Sequence, residues 1–277
     1  MKTVIIVFVI LSFGRVNLAL GQQSIQYGSN DGKYVSIYNT EVYYEEYGKG
    51  IPLLMIHGGT VSLYSFRKVI PDLSKKFRVI AVDTPGHGRS QQSDTLSYQL
   101  ITNYFSKLID ILKLDSVYII GSSDGGVVAQ LLAADRPDKI KRAISAGAQF
   151  GYRGFTKSGE QLVDNLSPEV VEKDWGSWVK NYQSAAYDGN DWRDFVLDVK
   201  KMWSEKVYVP IEKVKKIKSR FLIVLGDRDL ITIEHGIEMY NSITGGEFLV
   251  LPNTSHDVFN EQPELVNKIA IEFLTKK

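Results

Sequence analysis

Cysteine is absent from the 277-residue chain. That excludes disulfides, a thiol nucleophile and Cys-based metal or iron–sulfur sites. Histidine is scarce, with four residues, so imidazole chemistry has few candidates. Charge of one sign is also lacking: 33 basic residues face 32 acidic ones, a net charge of +1. The densest basic stretch, Lys213-Val214-Lys215-Lys216-Ile217-Lys218, carries no interleaved aromatics. It reads as a solvated face ahead of a strand, and no nucleic-acid partner is expected. No internal repeat or low-complexity segment is present. What remains is ordinary globular composition, 44% hydrophobic and 23% charged, enough for one domain with a sizeable core.

The N-terminus reads as an export signal over residues 1–21. Lys2 supplies the positive start, Val4 to Phe13 is almost unbroken apolar sequence, and Ala19 and Gly21 fit the −3 and −1 positions of a signal peptidase site. The run is short for a bilayer span, although Arg15 behind it keeps a retained anchor open as an alternative. Removing Lys2 and Arg15 with the leader takes 33 basic residues to 31 against 32 acidic ones, a net charge of −1. The expected mature chain starts near Gln22, is periplasmic or secreted, and has no stable membrane association. Asn253-Thr254-Ser255 is a glycosylation sequon beside a histidine of interest below. A glycan there would crowd the site, which favours a bacterial periplasm.

Alternating aromatic and β-branched residues over Tyr34–Tyr38 and Glu41–Tyr47 predict an antiparallel hairpin at a sheet edge. Six short apolar runs follow: Leu53–Ile56, Val79–Val82, Val117–Ile120, Ala143–Ala146, Phe221–Leu225 and Phe248–Leu251. Such runs are typical of buried parallel strands. Helical periods lie between them, over Val61–Ser74, Ser97–Leu112, Gly125–Ala134, Ile233–Ser242 and Pro263–Leu274. The alternation implies an α/β fold: a mostly parallel eight-stranded sheet with helices on both faces. From 150 to 209 no buried strand is evident, and all four tryptophans fall there, at 175, 178, 192 and 203. This segment reads as a helical cap inserted into a core formed by 22–149 and 210–277. Most of its tryptophans would fill the cap's own core, with one or two over a pocket.

Gly121-Ser122-Ser123-Asp124-Gly125-Gly126 sits between the Val117–Ile120 run and a predicted helix. Gly-x-Ser-x-Gly in that position is a nucleophile elbow, in which the glycines let strand and helix approach and a strained turn lifts the serine hydroxyl. The pattern is common by chance; its placement between strand and helix carries the weight. Ser123 has the glycine frame and Ser122 does not. A serine hydroxyl needs a base. His57 lies in His57-Gly58-Gly59, where the backbone matters more than the ring. His87 lies in a turn-rich loop, and His235 is expected to be exposed on a helix. His256 follows the last strand in the chain order Ser…Asp…His and is the candidate base. The acid should follow Phe221–Leu225, where Asp227 and Asp229 compete and spacing does not separate them. Backbone N–H groups of Gly59 and Asp124 are placed to hold an oxyanion.

These segments together resemble the α/β-hydrolase superfamily, from about Gly28 to the C-terminus. The resemblance implies Asp229 as the acid, since the second aspartate of such a Gly-x-x-Asp segment usually serves. Ser123-Asp124-Gly125-Gly126 is similar to the branch of biphenyl hydrolase-like, valacyclovir-cleaving enzymes, whose aspartate is associated with α-amino acid esters. The resemblance thus implies Asp124 as a contact for a substrate ammonium, although an aspartate in a first helical turn is also favoured by the helix dipole alone. The expected function is hydrolysis of a small-molecule ester or amide through an acyl-enzyme, with no metal or organic cofactor implied. Carbon–carbon bond hydrolysis or perhydrolysis on the same triad is one alternative, and a non-catalytic ligand-binding protein of the same fold is another.

Overall fold

The computed structural model describes residues 25–276, so the leader expected over residues 1–21 lies outside the described residues. Eight strands form one sheet: β1 (Lys33–Ile37), β2 (Thr40–Tyr47), β3 (Ile51–Ile56), β4 (Phe77–Val82), β5 (Val117–Ser122), β6 (Ile140–Ala146), β7 (Arg220–Gly226) and β8 (Gly246–Leu251). Their spatial order is β1-β2-β4-β3-β5-β6-β7-β8. β2 pairs antiparallel with both β1 and β4, and the remaining pairings are parallel. The reversal of order around β3, β4 and β5 creates a switch point, and in such sheets ligands bind outside the C-terminal strand ends beside it.

Eleven helices are described: α1 (Ile70–Leu73), α2 (Tyr98–Ile111), α3 (Asp124–Asp135), α4 (Lys157–Asn165), α5 (Pro168–Asp174), α6 (Gly176–Ala185), α7 (Trp192–Trp203), α8 (Ile211–Val214), α9 (Ile233–Ser242), α10 (Val258–Glu261) and α11 (Pro263–Thr275). Residues from α2, α3, α8 and α9 pack in the core on one sheet face, and those of α1, α10 and α11 on the other. The Ser97 side chain caps α2 by accepting from Leu100 N–H, and Ile101, Phe105, Leu108 and Ile109 turn one stripe of that helix inward. Helix α3 has no polar face to spare: it is buried from Asp124 to Ala134, between the sheet and α2. Truncating one of its buried leucines, as in Leu132→Ala, would cost about 3 kcal/mol.

The helix expected over Val61–Ser74 is instead a loop, a 3-10 turn at Leu63–Phe66 and the single-turn α1. Pro71 has no N–H to return to the Arg67 carbonyl four residues back. Arg67 O accepts from Ile25 N–H instead, at 3.2 Å. The break leaves residues 57–62 free to run across the strand ends.

Between β6 and β7 the chain forms α4 to α7, capped by the side chains of Thr156, Ser167 and Asp191. The insertion leaves and returns at one point, because Phe150 O accepts from both Tyr208 N–H and Val209 N–H. Phe195, Val199, Met202 and Trp203 form the buried stripe of α7, whereas α6 buries no residue fully. Among the described residues no helix is long and apolar enough to cross a membrane.

Candidate active site

Ser123 caps α3 directly after β5, with φ 52° and ψ −117°. A non-glycine residue held there stores about 1–3 kcal/mol, and its neighbours leave little alternative. A Cβ on Gly121 would stand 2.1 Å from Gly125 O, and one on Gly125 would stand 2.0 Å from Ile56 O. Strand, turn and helix therefore touch backbone to backbone. Ser123 N–H donates to Ala146 O at 2.7 Å, and Gly126 N–H and Val127 N–H donate to Ser123 O. With its main chain so engaged, the hydroxyl is left to the other side.

That hydroxyl lies 2.9 Å from His256 Nε2, and His256 Nδ1 lies 2.6 Å from Asp229 Oδ1. Asp229 is buried, and its carboxylate also accepts from Gly226 N–H at 3.3 Å and Ile231 N–H at 3.2 Å. Asp227, two residues earlier, turns away. It accepts from Asn253 N–H at 2.9 Å and Thr254 N–H at 3.0 Å, holding the loop that carries His256. The two aspartates that spacing left equivalent thus divide the work, one facing the imidazole and one shaping its loop.

The other histidines are placed elsewhere. His235 is buried at 4% exposure rather than exposed. The root of the cap covers its face of α9, and its Nε2 accepts from Phe150 N–H at 3.0 Å. Burial pushes His87 down to about 3 and His57 down to about 4. Asp83 Oδ1 lies 3.9 Å from His57 Nε2. That nitrogen is an acceptor, taking Thr84 N–H at 3.1 Å, so the contact is not an ion pair. His256 alone is shifted upward. Burial opposes its charged form, and the hydrogen bond and charge of Asp229 outweigh that opposition.

The ring of His57 matters more than its sequence context suggests. Its Nδ1–H donates to Gly58 O at 2.7 Å. In a trans peptide the following N–H points opposite to that carbonyl, so fixing Gly58 O fixes the direction of Gly59 N–H. The Gly58 backbone stands beside the nucleophile: a Cβ on Gly58 would be 3.0 Å from the Ser123 Cβ. A Cβ on Gly59 would lie 2.4 Å from Asp124 Oδ2 and 2.5 Å from the Trp203 ring. The Asp124 carboxylate accepts from Tyr98 OH at 2.8 Å and from Trp203 Nε1–H. Burial raises its pKa, with those two donors opposing.

A cavity of about 860 Å³ opens over Ser123, ample for a small organic ligand. Phe155, Leu162, Val163, Trp175, Trp178 and Trp203 line its cap side. Three of the four tryptophans therefore face the cavity, and Trp192 is buried in the core. Two hydrogen bonds tie α6 to the core loops: Trp178 Nε1–H to Thr60 O, and Tyr182 OH to Gly86 O at 2.8 Å. Among the described residues, no three His, Asp or Glu side chains gather as metal ligands.

The family model for the alpha/beta hydrolase fold matches residues 51–188. The chain belongs to the α/β-hydrolase superfamily. It is 26% identical over 263 residues to the uncharacterized hydrolase YugF of Bacillus subtilis, covering 84% of this chain and 94% of that protein. It is 34% identical over 111 residues to 2-hydroxymuconate semialdehyde hydrolase of a Pseudomonas species, covering 37% of this chain and 39% of that one. A solved meta-cleavage product hydrolase from Pseudomonas fluorescens superposes with a TM-score of 0.72 at 23% identity, over 88% of this chain and 98% of that one.

Proposed function

We propose that this hydrolase cleaves small carboxylic esters or amides through an acyl-enzyme. The Ser123–His256–Asp229 line, with successive separations of 2.9 and 2.6 Å, carries the reading. His256 takes the Ser123 proton as Oγ attacks the carbonyl carbon. Asp229 holds the ring by its Nδ1–H and stabilises the imidazolium. The N–H groups of Gly59 and Asp124 receive the oxyanion. His256 then returns the proton to the leaving oxygen or nitrogen. A water molecule deprotonated by His256 splits the acyl-enzyme, releasing the acid and restoring Ser123.

Two finer readings have support of their own. The Asp124 carboxylate is buried against the cavity and, among the described residues, has no Lys or Arg within ion-pair distance, which favours an ammonium next to the scissile carbonyl. The local identity to 2-hydroxymuconate semialdehyde hydrolase favours carbon–carbon bond hydrolysis on the same triad. Turnover of 4-nitrophenyl acetate separates these from a non-catalytic role. A burst of nitrophenol equal to the protein concentration, absent in Ser123→Ala, is expected. Wild-type protein that gives neither burst nor turnover contradicts the ester reading.

A further inference from the structure

Arginine placement in this chain is uneven. Arg78, Arg136, Arg153, Arg193, Arg220 and Arg228 each have a carboxylate within 4.0 Å, and Arg142 donates to the carbonyls of Phe273 and Lys276. Among the described residues, only Arg67 and Arg89 have neither a carboxylate within 4.0 Å nor backbone carbonyls on both terminal nitrogens, and both line the Ser123 cavity. Each is held in the same way. The Arg67 guanidinium lies over the Tyr64 ring at 4.7 Å, with Nη1 donating to Tyr64 O at 3.3 Å. Arg89 lies over the Tyr27 ring at 4.0 Å, with Nη1 donating to Tyr43 OH at 3.1 Å. In both, ring contact and one pinned nitrogen fix the plane, while the Nε and Nη2 hydrogens have no acceptor among the described residues. That free edge is the one a carboxylate meets in two parallel hydrogen bonds.

The two guanidiniums are not in a neutral setting. Glu45 and Asp83 lie behind Arg89, but their oxygens are occupied by Tyr43, Tyr47 and Gly28, and by Leu63, Tyr27 and the Arg89 main chain. On the cavity wall Asp257 is solvent-exposed and accepts from Asn260 Nδ2 at 2.9 Å. The Arg67 wall adjoins the proton donor for the leaving group: Asn260, four residues beyond His256, donates to Ser65 O at 3.0 Å. A group departing with the His256 proton therefore leaves along this wall.

We propose that Arg67 and Arg89 form an anion-recognising wall of the cavity, and that the alcohol or amine released from the substrate carries a carboxylate. This rests on the acyl-transfer reading above, and the test keeps the two apart. The substrates are 3-acetoxybenzoate and its neutral counterpart, 3-acetoxy-N,N-dimethylbenzamide, with 4-nitrophenyl hydrogen succinate carrying the charge on the acyl side. Acetate or succinate release is measured in wild type, Arg67→Gln, Arg67→Lys and Arg89→Gln. Wild type should favour 3-acetoxybenzoate over the amide by about ten-fold in kcat/KM, chiefly through KM, as expected for a charge-assisted pair. The ratio should collapse toward one in the glutamine variants, recover partly in Arg67→Lys, and shrink at about 0.5 M salt. Calorimetric binding of the same two compounds to Ser123→Ala reads the preference without turnover, so it decides the point even if no ester is cleaved. Equal kcat/KM or equal binding for the charged and neutral compounds overturns the proposal and leaves ester hydrolysis standing. A preference confined to the acyl-side succinate overturns the leaving-group assignment.

Discussion

Trp203 reaches from α7 to the nucleophile elbow, where its Nε1–H donates to both oxygens of Asp124, at 3.0 and 2.8 Å. A cap residue thus shares the carboxylate next to Ser123 with Tyr98 of α2. Both donors are neutral, so among the described residues no Lys or Arg matches a negative charge on this carboxylate, which burial disfavours and the two donors support. If an ammonium supplies that match, an α-amino acid ester should be cleaved about ten-fold better than its N-acetylated form. Asp124→Asn should erase most of the difference. Equal rates for both esters in wild type would remove the ammonium site.

The same charge bears on pH dependence. Burial works against a charged His256, and Asp229 outweighs it, with Asp124 and Asp257 adding in the same direction, so the ring titrates above its ordinary 6.5. Only the neutral ring can accept the Ser123 proton. Activity should therefore be complete above the raised pKa and fall away as pH drops through it. Removing the Asp124 charge should move this acid limb of kcat/KM to lower pH. An unmoved limb in Asp124→Asn, measured with an uncharged ester, would contradict the coupling.

Asp229 and Asp227 should fail in different ways. Asp229→Asn leaves the ring without its charged partner and should lower kcat by about 10⁴-fold. Asp227→Asn loosens the N–H contacts of Asn253 and Thr254 while leaving the triad intact, and should lower kcat by about ten-fold through misplacement of His256. Steady-state kinetics on both variants provides the comparison, and the reverse ranking would exchange their roles.

His57 links catalysis to acid stability. Its folded-state value of about 4 lies below the ordinary 6.5, so the unfolded chain binds the extra proton first. The stability this gives is complete above pH 6.5 and is lost as pH falls toward 4, amounting to about 3 kcal/mol. Asp83, raised to about 6 by burial, acts in the opposite sense: its contribution is present below its ordinary value and lost as pH rises toward 6. Comparing His57→Gln with wild type by urea unfolding over this range holds the Asp83 contribution common, and the variant should show the shallower acid-side loss. The variant should also lose about 10²-fold in kcat as the Gly58–Gly59 peptide loses its anchor.

Much of this architecture was legible because buried parallel strands are written as short apolar runs. Leu53–Ile56 and Val79–Val82 are completely buried, and the elbow glycines mark the turn that follows β5. The Val61–Ser74 segment misled because its apolar spacing is helical; Pro71 was a legible breaker that this spacing outweighed, whereas the Ile25–Arg67 hydrogen bond is a tertiary fact. His235 was misplaced for a similar reason: the cap root that buries it comes from residues 150–153, over 80 positions away in the chain. Gly59 and Asp124 could be named from the motif. The hold of His57 on the Gly58–Gly59 peptide could not, because it depends on which ring nitrogen faces Thr84. Arg67 and Arg89 carried no signal, since an arginine without a carboxylate partner is visible only in the folded chain.

The most direct measurement is labelling of the purified protein with a fluorophosphonate, read by intact mass and peptide mapping. An activated Ser123 should give a single adduct on that residue, with none in Ser123→Ala and a rate reduced by about 10³-fold or more in His256→Ala. No adduct on the wild type, or an adduct that persists in Ser123→Ala, would contradict the assignment of Ser123 as nucleophile.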